Sequence, residues 1–376
     1  MTQLKSRNIF ILRLILLLFC VGLLSYYEVL ERADSAFYDK VSSIPQYSSS
    51  NNVVIVAIDD ESLQALGRWP WSRKIHAEFI NRLAHRDNVI ALDLLFLELD
   101  ENDPSADSEL GAAIATHGSI VLPVVPVIDA HFKTLSLAEQ LPFLRENAML
   151  GHADIELDND GVARRVFLAA GIDAPKWPAL GLALASQTNR QGTIDLPNII
   201  NDGETSKKGS WVRSHEVLIP YVGPPGSFQK VSYAQILHDD AMVASLNGKT
   251  IIVGVTAAEI GALLATPVSP INRQPMSGVE WHANVYEMLQ HNRAVSPASN
   301  IASSLISMFW LLIILLSIHL MRIDFTIPTL LVLLACSLLI IGFSIRWLQI
   351  WIPPSAALFG LLAIYPLWNW QLINKH

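Results

Sequence analysis

Cysteine is nearly absent from this chain. Only Cys20 and Cys336 occur among 376 residues, both inside apolar runs, so no disulfide can staple a soluble core and packing alone must hold it. Charge is scarce as well, with Asp, Glu, Lys and Arg at 16% against roughly a quarter in an average soluble domain. What charge there is leans acidic, 34 Asp+Glu against 26 Lys+Arg. Lys5, Arg7, Arg13, Arg322, Arg346, Lys375 and Asp324 flank or enter apolar runs, and the remaining 20 bases and 33 acids leave the central region at about −13. Such a surface repels phosphate backbones, and no basic patch with interleaved aromatics offsets it. Nucleic acid is excluded as a partner.

Apolar residues are what the chain has in plenty, 51% of the whole, and they are clustered. The first run, residues 9–24, follows Lys5 and Arg7 and carries Arg13 near its start. No small-residue cleavage site follows it, so it reads as an uncleaved anchor. Three more runs, 301–320, 327–345 and 348–367, each approach the roughly 20 residues a bilayer core demands of a helix. Residues 321–326 and the stretch around Arg346 are short enough to read as tight turns. Trp310, Trp347, Trp351, Trp368 and Trp370 lie mostly near run ends, as interfacial aromatics do. The basic start places the N-terminus in the cytoplasm by the positive-inside rule, and four crossings bring the C-terminus back there. The expected organisation is a cytoplasmic start and first span over 1–27, an exported block over 28–299, three spans over 300–370 and a cytoplasmic tail over 371–376. The lipid bilayer is therefore an expected partner.

Within the exported block, Tyr26, Leu30, Ala33, Phe37 and Val41 recur at helical spacing and predict a stalk extending the first span. Residues 53–58, 89–92, 120–125 and 250–255 are continuous apolar runs, the pattern of strands buried on both faces. Helical patterns at 61–66, 75–85 and 109–116 separate the first three, a β-α-β-α-β order that predicts a mainly parallel sheet with right-handed crossovers. Asn159-Asp160-Gly161 between 151–156 and 162–169 is a hairpin signal. Residues 178–187 read as helix, 191–210 as a polar loop, 217–221 as extended and 279–291 as helix. The fold class expected is an exported α/β domain, mainly parallel with an antiparallel hairpin elaboration, plus four transmembrane helices.

Asp59 and Asp60 follow the first strand and Asp93 the second. Carboxyl ends of parallel strands line the ligand crevice of such sheets, so these acids are candidates for one site, able to hold a hard cation or receive ligand donors. Asp59 or Asp60 is equally placed to cap the helix that follows. Gly67-Arg68-Trp69-Pro70-Trp71-Ser72-Arg73 sets two indoles beside two guanidiniums, either to cradle a planar or anionic ligand or to fill the base of a loop. His282 beside Glu280 at a helix start can titrate, although a surface role is the expected reading. Glu156, Asp158 and Asp160 imitate the front of a calcium loop, but Phe167 stands where the closing carboxylate belongs. Asn247-Gly248-Lys249-Thr250 lacks the earlier glycine of a phosphate loop, Val243 standing there, and it precedes a strand. No Gly-x-Ser-x-Gly, His-Glu-x-x-His or closely spaced histidine pair occurs. Neither catalysis nor a metal nor a cofactor is indicated.

The run 53–63 together with Gly67–Arg73 resembles the opening of the CHASE type-two family of extracellular sensory domains. The likeness continues through 91–96, Gly151-His152, 158–165, Thr266-Pro267-Val268 and 278–284. It covers about 30–295, and one span before with three after is also similar. The resemblance implies a bacterial inner-membrane receptor that senses an unknown small molecule or envelope signal, forms a homodimer and drives a kinase or cyclase. Two departures stand out. Only residues 371–376 follow the last run, so a separate cytoplasmic kinase or cyclase is the expected output partner. Ala262 occupies a position where an acid is expected before Thr266-Pro267. The expected ligand-binding residues are Asp59, Asp60, Arg68, Trp69, Trp71, Arg73, Asp93, Glu280 and His282. Two alternatives are an envelope assembly subunit and a membrane-tethered metal enzyme using Asp59 and Asp93.

Overall fold

A computed structural model describes residues 2–44, 47–84, 87–101, 103–128, 135–138, 140–189, 209–321 and 325–373. The expected polar loop 191–210 lies outside these except at 209–210, and so do parts of the expected turn 321–326 and tail 371–376. The chain divides into two compact units, Met1–Val41 with Val295–His376, and Ser42–Ala294.

Helix α1 (Thr2–Tyr26) and helix α2 (Glu31–Ser42) do not form the expected straight stalk. They meet at 69° across a break where Glu28 adopts φ 52. The reason lies in what α2 packs on. Asp34 Oδ1 accepts from Ser355 N at 2.8 Å, Phe37 stacks on Trp351 at 6.3 Å, and Tyr38 meets the same indole edge-on at 5.3 Å. A continuous helix would carry those side chains away from Trp351.

The second unit opens with β1 (Val53–Ile58), α3 (Asp60–Leu66) and α4 (Arg73–Leu83), then β2 (Val89–Leu92) and α5 (Pro104–His117). β3 (Ile120–Ile128), β4 (Leu135–Ala138), α6 (Pro142–Arg145) and β5 (Met149–His152) follow. After them come β6 (Arg165–Ile172), β7 (Trp177–Pro178), α7 (Leu180–Thr188) and β8 (Trp211–Leu218). β9 (Gln229–Ser232), α8 (Tyr233–His238), α9 (Asp240–Ser245), β10 (Thr250–Val255), α10 (Ser269–Asn272) and α11 (Gly278–Gln290) complete it.

Six strands pair in parallel in the order β5-β3-β2-β10-β1-β9, and β4 adds antiparallel to the far end of β3. Alternate side chains of the apolar runs serve two cores. Val54, Val56, Ile58, Ile90 and Leu92 pack under α4, α5 and α8, whereas Val53, Ile55, Val89 and Ala91 pack under α7 and α11. Both faces are covered, which is why these strands are uninterrupted in hydrophobicity. β10, late in sequence, sits between β1 and β2, its Val253 paired with both Val56 and Leu92. Gly254 has no side chain because a Cβ there would lie 2.8 Å from that of Val279. The missing atom lets α11 lie directly on the sheet.

The hairpin expectation fails. The turn at Asn159-Asp160-Gly161 forms, Gly161 N donating to Asp158 O at 2.8 Å with Gly161 at φ 80. Its flanks, however, do not pair with each other. Gly151 and His152 belong to the parallel sheet, while β6 pairs antiparallel with β7 and β8 in a separate three-stranded sheet. A local turn signal carries no information about a better strand some fifty residues on, and eight-residue β8 offers a longer ladder than the four-residue flank. The antiparallel elaboration therefore exists, built otherwise than expected.

In the first unit, α12 (Asn300–Met321) and α13 (Ile327–Phe343), the latter prolonged by a π-helical turn through Ser344–Leu348, precede α14 (Ser355–Ile373). Two helices among the described residues are long and apolar enough to cross a membrane, Asn300–Leu320 and Ile327–Leu348; Ile11–Tyr26 with Glu31–Ser42 adds a third only as one broken span. Ser355–Trp368 is a shorter apolar helix. The stretch around Arg346 is thus helical and not a bare turn. Small residues bring the helices close: a Cβ on Gly22 would meet Met308 Sδ at 2.8 Å, and one on Gly360 would meet Val21 Cγ2 at 2.8 Å. Leu12, Leu16, Phe19, Phe309, Leu316, Leu331 and Leu339 point outward, each more than half exposed, as a lipid-facing surface requires.

Candidate functional site

Carboxyl ends of parallel strands gather on one edge, and the structure places Asp59 after β1, Asp93 after β2, Ser232 at the end of β9 and His152 at the end of β5. β10 stands between β1 and β2, so Asp59 and Asp93 are two strand spacings apart, roughly 9–10 Å. Among the described residues no group of three His, Cys, Asp or Glu side chains is placed to hold a metal ion.

Asp59 is committed internally. Its Oδ1 accepts from Ser62 N at 2.9 Å, Ser62 Oγ at 2.7 Å and Ser232 Oγ at 2.8 Å, and it is the N-cap of α3. Asp60, the other capping candidate, is exposed in the first turn. Asp93 differs. Its backbone N donates to Val253 O at 2.8 Å, but no hydrogen bond to its carboxyl is found among the described residues. Burial pushes that carboxyl up to about 6, since desolvation disfavours the charged form. It shares the α11 side with Val89 and Ala91, its Cβ against Gly254.

Glu280 and His282 are both buried, which corrects the surface position considered for His282. The cause is that α11 is enclosed all round, with every residue from Gly278 to Leu289 buried. Glu280 Oε1 accepts from Gly226 N at 2.7 Å and Ser227 N at 3.3 Å, pinning that loop; burial raises its pKa, the two N–H groups opposing. His282 has no hydrogen bond at Nδ1, and burial lowers it to about 4. His152 donates from Nε2 to Phe167 O at 2.9 Å, leaves Nδ1 unpartnered and is likewise lowered to about 4 by burial. The charge of His282 adds to that lowering.

The Gly67–Arg73 stretch is packed into the fold through its indoles and Arg73. Trp71 is 4% exposed and donates from Nε1 to Gly67 O at 2.9 Å. Trp69 meets it edge-on at 5.1 Å. His76, lowered by burial to about 3, has Nδ1 3.0 Å from the Tyr233 hydroxyl beneath them. Arg73 donates from Nη2 to Glu98 O at 2.7 Å and places Nε 3.6 Å from Asp107 Oδ1. Arg68 is exposed.

Asp158-Asn159-Asp160-Gly161 and Arg164-Arg165 form an ion-pair clasp. Arg164, 3% exposed, reaches Asp158 at 2.9 Å and Asp160 at 2.7 Å, and Arg165 Nε binds Asp158 at 2.6 Å. Arg213 holds Asp154 at 2.7 Å and Glu156 at 2.8 Å. The acids that imitate a calcium loop are occupied by arginines, and the two arginines directly after the turn were the signal for it.

One feature left no mark in the sequence. A groove of about 720 Å³ runs along α5, lined by Leu99, Asp100, Asp107, Gly111, Ala115 and Phe143 among others. Three separate segments build it, so no local motif could announce it.

The fold is thus a doubly covered parallel α/β domain that lies in sequence between apolar helices. The family model of the CHASE2 domain matches residues 14–320, and the chain belongs to that family. CHASE2 is an extracellular sensory domain of signalling receptors, not a catalytic one. No curated protein and no solved structure matches the chain.

Proposed function

We infer that this protein is a bacterial inner-membrane receptor module that senses an extracytoplasmic signal through residues 28–299 and passes it to a separate cytoplasmic kinase or cyclase. The match over residues 14–320 carries this reading. The helices α1, α12, α13 and α14 are taken as four crossings, which puts both chain ends in the cytoplasm. The shortness of Ser355–Trp368 and the bend after Tyr26 make topology the first thing to test. The module acts as a homodimer.

Ligand contact is assigned to the strand-end edge around Asp93, whose carboxyl is the one strand-end acid with no internal partner among the described residues. Transmission is assigned to a tether. Glu287, fully buried on α11, accepts from Ser50 N at 3.2 Å and pairs with His291 Nε2 at 3.0 Å. Tyr47 OH donates to Pro220 O at 2.8 Å. The linker entering the domain and the helix leaving it thus move as one piece. A ligand shifts the balance of two states only by its differential affinity for them.

Reporter fusions at Gly118 and at the chain's end, expected in opposite compartments, test the topology. Screening the full chain in nanodiscs by thermal shift tests sensing; a domain that no small molecule, ion, pH change or envelope protein perturbs would defeat it.

A further inference from the structure

We propose that Glu287 and His291 form a proton-operated latch on the tether between the linker at 47–52 and α11, closed when the imidazole is charged and released when it is neutral. The signal this assigns to the domain is extracytoplasmic pH. The proposal deepens the sensory reading and rests on it for biological meaning, whereas the latch itself is a property of the fold.

The two halves of the latch differ sharply in exposure. Glu287 is fully buried, and its Oε1 accepts from Ser50 N at 3.2 Å and from Ser50 Oγ. Its Oε2 accepts no hydrogen bond. His291, one turn further along, has a side chain 42% exposed and sets Nε2 3.0 Å from that same oxygen. Solvent protons therefore reach the imidazole, and the charge they bring acts on a carboxylate that water does not reach. Imidazole is the side chain whose charge ordinarily changes between about pH 5 and 8. When it is protonated the buried carboxylate has its cation. When it is neutral Glu287 keeps Ser50 alone, and a buried carboxylate without a cation is costly. The tether is thus held on the acid side and loosened as pH rises.

The linker meets this assembly at several points. Tyr47 lays its ring 5.2 Å from that of His291 and donates its hydroxyl to Pro220 O at 2.8 Å. Ser49 Oγ donates to Ser227 O at 3.1 Å, and Lys249 Nζ donates to Asn51 O at 2.6 Å. Tyr286 on α11 has its phenol raised by burial and, secondarily, by the Glu287 charge. Arg293 follows two residues after His291. Among the described residues Glu287 and His291 make no other ion pair.

Hydrogen exchange of the full chain in nanodiscs from about pH 5.5 to 8, each rate divided by its intrinsic value, is the test. Protection of residues 47–52 should fall roughly fivefold or more across that range. His291→Arg, charged throughout, should keep the acid-side protection at both ends, and His291→Gln should show the lower, alkaline-side protection at both. His238→Gln, at an exposed histidine of α8, should follow wild type. Asp93, with a carboxyl at about 6, titrates in all four proteins and cancels in the comparison. A wild-type profile flat in pH, protection that grows toward pH 8, the wild-type slope in either His291 variant, or a slope lost in His238→Gln would each overturn the proposal. A flat profile in a domain that another signal still stabilises removes the latch and leaves the receptor. A latch that titrates as expected while reporter fusions place Gly118 in the cytoplasm keeps the latch and removes the receptor.

Discussion

Ser232 Oγ donates to Asp59 Oδ1 at 2.8 Å across 173 residues of chain. That bond fastens the end of β9 to the end of β1 and gathers Ser62 Oγ into the same cluster, 2.8 Å from Ser232 Oγ. An acid at a strand end that serves neighbouring strands in this way is a structural clasp. Asp59→Ala should cost about 2 kcal/mol, the sum of a lost cap and stranded buried hydroxyls. A double-mutant cycle with Ser232→Ala, followed by denaturant unfolding, should give a coupling of at least about 0.5 kcal/mol. Strict additivity would refute the clasp.

Asp93 should act in the opposite sense. Its folded pKa, about 6, lies above the usual carboxylate range, so the native state binds the proton more tightly. The stabilising contribution is full below about 4 and is lost as pH rises through 6. Asp93→Asn should therefore raise the melting temperature at pH 7, by an effect worth about 1–3 kcal/mol, and make no difference near pH 4. A variant less stable than wild type at pH 7 would show that the ionised carboxylate has a partner.

His152 and His282 have depressed folded values, about 4 against 6.5. Their neutral forms favour the native state at pH 7, and that contribution falls as pH drops from about 6.5 through 4. Asp93 gains over part of the same range, so the sum is shallow in wild type. His282→Gln should flatten the acid limb by an effect on the order of 2 kcal/mol, whereas Asp93→Asn should steepen it. Melting curves from pH 4 to 8 separate the two; parallel curves for all three proteins would contradict both assignments.

Arg164 carries the largest expected penalty of the clasp around the Asp158 turn. Arg164→Ala leaves the Asp158 carboxylate, 4% exposed, with only Arg165 and should destabilise by about 3–5 kcal/mol. Replacing both Arg164 and Asp158 by apolar residues should recover much of that loss. Calcium should stabilise neither protein in a thermal shift, since the acids already have cationic partners.

The strands at 53–58, 89–92 and 250–255 were legible to the residue because burial on both faces writes an uninterrupted apolar run. β9 was not, because its first two residues, Gln229 and Lys230, are exposed and interrupt that signal. The helix after β1 was legible down to its stop at Gly67, where φ is 88. The bend after Tyr26 was invisible: periodicity runs straight through it, and the contacts of α2 with Trp351 and Ser355 lie more than three hundred residues later. Of the expected site residues, Asp59, Trp71, Arg73 and Glu280 make hydrogen bonds within the fold that no local window of sequence shows.

Composition and hydrophobic period by themselves determined an acidic α/β block framed by apolar helices, because both signals are local and additive along the chain. Tertiary structure alone decided which acids remain unpartnered. β10 entering between β1 and β2 parted Asp59 from Asp93, Ser232 claimed one of them, and the other was left at the edge of the sheet. Partnership of a charge depends on neighbours remote in sequence, and no window of residues contains them.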